Sequence, residues 1–188
     1  PIARPHVDRL SALTGETVHL AQLDNGHVLY IDKRNAARPV EMFSKVGKIG
    51  PAYCTGVGKA MLAWLDDAAL EDALRRQAFH RFMPNTLTDP QALRDELARI
   101  RTAGVAFDRE EHEPCIICVA APILTGRGRM IGACSVTSTT ERRRLDELAA
   151  LAPDLRTTAA AIAAEAESWQ FPTALPPEPR QETTACPV

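Results

Sequence analysis

The chain predicts an α+β fold: a largely antiparallel sheet flanked by helices. Three observations carry that reading. Apolar, β-branched runs come in pairs separated by turn residues, the mark of hairpins. The long block between the two pairs has helical rather than alternating periodicity. An Ala-rich amphipathic stretch follows the last run. Strands grouped around a helical insert, instead of alternating singly with helices, argue for antiparallel pairing.

Taken in order, Val7, Leu10 and Leu13 recur at helical spacing, and Gly15 can cap that helix. "ETVHLAQL" and "HVLYIDKR" read as a hairpin around Asp24-Asn25-Gly26. "VEMF" and "IGPAY" suggest short strands. "GVGKAMLAWL" begins a helix that "DAALEDALRRQ" continues or follows after a break. In "NTLTDPQALRDELARIRTAG", Thr88 or Asp89 caps and Pro90 starts a helix. Leu93, Leu97 and Ile100 form its buried stripe, and Gly104 ends it. A short strand over 105–107 ends at Asp108. "CIICVAAPIL" and "MIGACSVT" form the second hairpin. The last helix spans Glu141 to Trp169, with "ERRR" as its charged first turn and Pro153 kinking or breaking it. From Pro172 the chain is Pro-rich and aperiodic, which predicts a disordered tail over 172–188 beyond one domain over 1–171.

A chain of 188 residues, 45% hydrophobic, can build one ordinary core. The net charge of −2 argues against a nucleic-acid-binding surface. No apolar run is long enough to span a bilayer and no signal peptide is read, so a cytoplasmic setting without membrane contact is expected. The five cysteines are odd in number and irregularly spaced, unlike a secreted disulfide framework.

The second hairpin carries the most chemistry. A two-residue loop at Gly126-Arg127 would pair Thr125 with Gly128. Counting back sets Cys118 opposite Ser135 and Ile116 opposite Thr137. Period-two alternation then puts Cys118, Ser135 and Thr137 on one face. Such polar groups inside an apolar sheet need partners, from the protein or from a ligand. One more loop residue would disperse them.

"CTGVGK", from Cys54 to Lys59, departs from a phosphate loop. Tyr53 stands at the first Gly position, and Ala60 replaces the magnesium-binding hydroxyl. What remains is a helix start whose unpaired N–H groups favour an anion, or whose glycines simply permit close packing. Cys115-x-x-Cys118, with His112 nearby, leaves a metal or redox role open, although residues three apart in a strand face opposite ways. Glu110, Glu111 and Glu113 read as a solvated turn, whereas Asp108 can face the Ser135 pocket. His19 and His27 read as packing or surface residues.

Several long segments together resemble the C-terminal effector-binding domain of IclR-type bacterial transcription regulators. They are "LTGETVHLAQLDNGHVLYIDK", "MFSKVGKIGPAYCTGVGKAMLAWL", "TLTDPQALRDELARIRTAGVAFDREEHEPCIICVAAPI" and "GRMIGACSVT". The resemblance implies a GAF-like fold: an antiparallel sheet flanked by helices, with a ligand cavity on one face. It implies a non-enzymatic sensor for a small carboxylate or sugar acid, needing no cofactor and no metal. Carried over by motif, the main-chain contacts fall on Gly56 and Val57. The side-chain contacts fall on Asp108, Cys118, Ser135 and Thr137. Met42, Phe43, Met61 and Leu62 are candidate apolar lining. Val57 is bulkier than the small residue of some relatives, and Thr137 adds a methyl group. The resemblance further implies a homodimer or homotetramer. Operator DNA would be bound only through an N-terminal winged helix-turn-helix that nothing in this sequence matches. Two alternatives stay open: a cysteine-dependent methionine sulfoxide reductase on a GAF-like fold, and a dimerisation module without ligand.

Overall fold

A computed structural model describes residues 2–170. The tail expected from Pro172, and Cys186 with it, lies outside the described residues.

The first helix, α1 (Arg4–Thr14), starts on Pro5 and ends where Gly15 turns left-handed at φ 72°. It buries Val7 and Leu10 but leaves Leu13 65% exposed, so the apolar stripe is shorter than its spacing suggested. The first hairpin forms as read. β1 (Thr17–Asp24) and β2 (His27–Arg34) join through Asn25 and Gly26, both at positive φ, as a tight two-residue turn demands. "VEMF" is not a strand: residues 35–48 run irregularly to the two-residue β3 (Ile49–Gly50). The next helical block divides. α2 (Gly56–Leu62) stops, and α3 (Asp67–Arg75) restarts behind Asp66, whose carboxylate accepts from the Ala69 N–H. α4 (Pro90–Ala103) has the expected Asp89 cap, Pro start, Leu93/Leu97/Ile100 stripe and Gly104 stop.

β4 (Ala106–Arg109) places Asp108 inside a strand rather than at its end. β5 (Ile116–Leu124) and β6 (Met130–Thr139) follow. Glu141 to Arg144 do not begin the last helix. Arg144 precedes the short α5 (Leu145–Ala149), and Arg143 reaches back to the Glu16 carboxylate at 2.7 Å. Pro153 then stands in the first turn of α6 (Ala152–Gln170), where a missing N–H costs nothing.

The six strands form one antiparallel sheet in the order β3-β2-β1-β6-β5-β4. Helices cover both faces. Ile117, Val119, Ala121 and Ile123 of β5 pack toward α1, α5 and α6 with Leu10, Leu148 and Leu155. Ala120, Ala133 and Ala21 pack toward α2, α3 and α4 with Val57, Met61, Leu70 and Leu93. Burial on both faces explains why β5 is a continuous apolar run.

The β5–β6 register differs from the count by two. Cys118 lies opposite Thr137, and Ser135 opposite Ala120. The Thr125 N–H bonds Arg129 O at 2.9 Å, so Gly126, Arg127 and Gly128 make a three-residue loop, with Gly128 left-handed at φ 77°. Ile123 pairs with Gly132 and Leu124 with Met130, leaving Ile131 as a bulge. One extra loop residue and one bulged residue shift the register by an even number. Cys118, Ser135 and Thr137 therefore still share a face.

Candidate functional site

That face opens on a cavity between the sheet, the start of α2 and the 35–48 segment. The space open to water-sized groups is about 30 Å³. Gly56, Val57, Asp108, Cys118, Ser135 and Thr137 all line it, as does Met42. Phe43, Met61 and Leu62 do not. Met61 and Leu62 are sealed in the core with Leu70 and Leu93, and Phe43 stacks edge-on against His112.

Each polar group reaches the cavity for a local reason. Thr55 is the N-cap of α2, yet its hydroxyl donates to Pro51 O at 2.9 Å and does not cap. The N–H groups of Gly56 and Val57, which have no carbonyl four residues back in the helix, are thus not capped by it, and both residues line the cavity. With seven residues, α2 is too short for much of a macrodipole, so these N–H groups themselves are the anion-seeking feature. The two helix glycines are also packing positions. A Cβ on Gly56 would run into Cys118 Sγ, and one on Gly58 into the Ala52 backbone. Close packing and exposed N–H groups thus have one cause.

Asp108 is 6% exposed, and Oδ1 accepts the Glu111 N–H at 2.8 Å. Burial pushes its carboxyl up to about 7, with the negative charges of Glu111 and Glu113 adding to that and the Glu111 N–H and Lys59 opposing it. Burial likewise pushes the Cys118 thiol up to about 12.

The acidic turn is not solvated throughout. Glu111 is 3% exposed and pairs with the fully buried Lys59 of α2 at 2.5 Å. Lys59 also approaches Glu96 at 3.5 Å, and Glu96 is bridged by Arg109 at 2.9 Å. Glu113 lines the cavity and accepts the Phe43 N–H at 2.9 Å. Glu110 accepts the Cys115 N–H. Cys115 itself is exposed, at φ 60°, and precedes β5, whereas Cys118 is buried. No group of three His, Cys, Asp or Glu among the described residues is arranged to hold a metal ion.

Sequence reasoning missed His19. Its ring is 3% exposed and lines the cavity. Nε2 lies 2.8 Å from Ser44 Oγ; Nδ1 lies 3.2 Å from Thr137 Oγ1 and 3.4 Å from Ser135 Oγ. Burial, then the Lys33 charge, lowers its pKa to about 3, so the ring is neutral. The alternation Thr17, His19, Ala21 was legible. That β1 pairs with β6, setting His19 beside Ser135, was not. Ser44 and Tyr30 also line the wall without any sequence signal that singled them out, and His112, read as a possible partner of Cys115 and Cys118, lines it with Thr55 and Ile116.

The family model described as bacterial transcriptional regulator IclR C-terminal matches residues 1–164. The chain belongs to the IclR family. It is 36% identical over 147 residues to the HTH-type transcriptional regulator XynR of Escherichia coli K12, covering 78% of this chain and 58% of XynR. The Thermotoga maritima IclR structure superposes with a TM-score of 0.82 at 32% identity, covering 87% of this chain and 66% of that one. An IclR homologue complexed with 4-hydroxybenzoate, from Microbacterium hydrocarbonoxydans, matches with a TM-score of 0.79 at 26% identity, over 89% and 67% of the two chains. The fold is therefore the GAF-like fold of IclR C-terminal domains, and the chain spans less than two thirds of XynR.

Proposed function

We infer that this IclR domain is a sensor whose cavity binds a small organic or sugar acid. The observation that carries the reading is convergence. Uncapped N–H groups of Gly56 and Val57, the hydroxyls of Ser135 and Thr137, the thiol of Cys118 and the Asp108 carboxyl meet in one small cavity. The acid's carboxylate takes the N–H groups, and its remaining oxygens take the hydroxyls. Asp108, held largely protonated below about 7, donates to a ligand oxygen without repelling the anion. A homologue of the same fold that carries a hydroxy acid supports the ligand class.

In the whole regulator, ligand binding shifts domain geometry or assembly of a homodimer or homotetramer. That changes operator affinity through an N-terminal winged helix-turn-helix outside these residues, in the cytoplasm. The shift is bounded by the ligand's differential affinity for the two states. Among the described residues no helix is long and apolar enough to cross a membrane. The domain is not an enzyme in this reading: methionine sulfoxide reduction needs a thiolate, and Cys118 and Cys54 are both pushed away from ionisation by burial.

A thermal-shift screen of small acids tests the reading, since a ligand that binds only the folded state raises its stability by mass action. Concentration-dependent stabilisation by one chemical class of acid is expected. A flat response across keto, hydroxy, sugar and aromatic acids would leave the dimerisation module as the better description.

A further inference from the structure

His19 stands between the cavity floor and its roof. The floor is Ser135 and Thr137 of β6, and the roof is Ser44 in the 35–48 segment. A neutral imidazole has one N–H and one lone pair, so its tautomer decides which neighbours must donate. The distances favour one of the two. The short 2.8 Å contact suits the Ser44 O–H donating into the Nε2 lone pair. The contacts of 3.2 and 3.4 Å at Nδ1 suit one N–H shared between two oxygens, a three-centre bond that is long to both.

The consequence falls on the ligand. Thr137 Oγ1 and Ser135 Oγ accept from the ring, and they lie 3.4 Å from each other. With that demand met by His19, a hydroxyl proton is left to point into the cavity. The opposite tautomer would take a hydroxyl proton for the Nδ1 lone pair and leave the floor with one donor fewer.

We propose that His19 is a specificity-determining residue: as the Nδ1-protonated tautomer bonded to Ser44 through Nε2, it leaves a hydroxyl proton of Ser135 or Thr137 free and selects ligands that present an acceptor oxygen, keto or carboxylate, to the floor. Ser44 acts through His19 as a positioning residue. The proposal rests on the acid-binding reading for its ligand, but not for the state of the ring.

The test uses the whole chain with ring-15N histidine, and His19→Asn identifies the His19 signals by their loss. At neutral pH without added acid, a pyrrole-type Nδ1 and a pyridine-type Nε2 are expected. A protonated Nε2 overturns the proposal whether or not any acid binds. Ser44→Ala should move the Nε2 signal. Pyruvate is then titrated by calorimetry into wild type, His19→Asn and His19→Leu. The Asn amide can still donate from the Nδ1 place and should lose clearly less affinity than Leu. Leu should lose roughly tenfold, the effect of an unpaired buried polar group. Asn and Leu losing equally would refute the polarity argument. No acid binding to the wild type at all would sink the sensor reading, while the ring spectra still decide the tautomer.

Discussion

Cys118 Sγ occupies the place where a side chain on Gly56 would begin. The sulfur of β5 thus fits against the bare backbone of α2, which brings the α2 N–H groups down to the sheet. Alanine at 56 would force the helix or the strand to move. Gly56→Ala should lower stability by about 1–3 kcal/mol, as overpacking does. Adding Cys118→Ala removes the obstruction and should return most of it. Urea denaturation of the two single variants and the double reads this out; strictly additive losses would mean that the two residues are not in contact.

Lys59 and Glu111 form a buried pair at 2.5 Å that ties α2 to the turn after β4, where the Glu111 N–H holds the Asp108 carboxyl. Removing one partner leaves the other charged and dry. Lys59→Met should cost about 3–5 kcal/mol. Lys59→Met with Glu111→Leu should be much less damaging than Lys59→Met alone. Thermal unfolding of the three proteins checks this, and a double variant as unstable as the single would deny the pairing.

Asp108 gives the domain a pH signature. An unfolded Asp releases its proton near pH ~3.9, whereas the folded carboxyl keeps it up to about 7. Between these values the folded chain holds the extra proton. The stabilisation from Asp108 is therefore full below the unfolded value and is lost as pH rises through about 7. Asp108→Asn has no proton to lose. The stability difference between variant and wild type should grow in the variant's favour from about pH 5 to about pH 8. Acid affinity of the wild type should fall over the upper part of that range, and that of the variant should fall less. Denaturation midpoints and calorimetry across pH measure both, and a pH-independent difference would mean that Asp108 does not titrate there.

Ser135 provides the most direct check of the ligand pose. Ser135→Ala should weaken binding of the best acid from the screen by about 1–3 kcal/mol, by leaving a buried ligand oxygen without its donor. Replacing the ligand's carboxylate with an amide should cost at least as much, because charge-assisted bonds to the Gly56 and Val57 N–H groups are the stronger ones. If acid and amide bind alike in calorimetry, the carboxylate does not sit at the start of α2.

Local chemistry determined a good part of this protein from sequence alone. Asp89, Pro90 and Gly104 delimit α4, and Asn25-Gly26 closes the first hairpin, because caps and tight turns depend on a few neighbouring residues. Period-two alternation put Cys118, Ser135 and Thr137 on one face, because parity survives any even slip. The slip itself was not legible: the loop residue and the Ile131 bulge shift the register without leaving a compositional mark. Only the tertiary structure brought His19 to the cavity, since β1 meets β6 across more than half the chain. Glu111 reads as a solvated charge in the sequence and Lys59 only as the end of a helix-start motif, and only packing shows them buried together. Helix and turn preferences are carried by adjacent residues, whereas burial and cross-sheet pairing depend on which distant surfaces exclude water together.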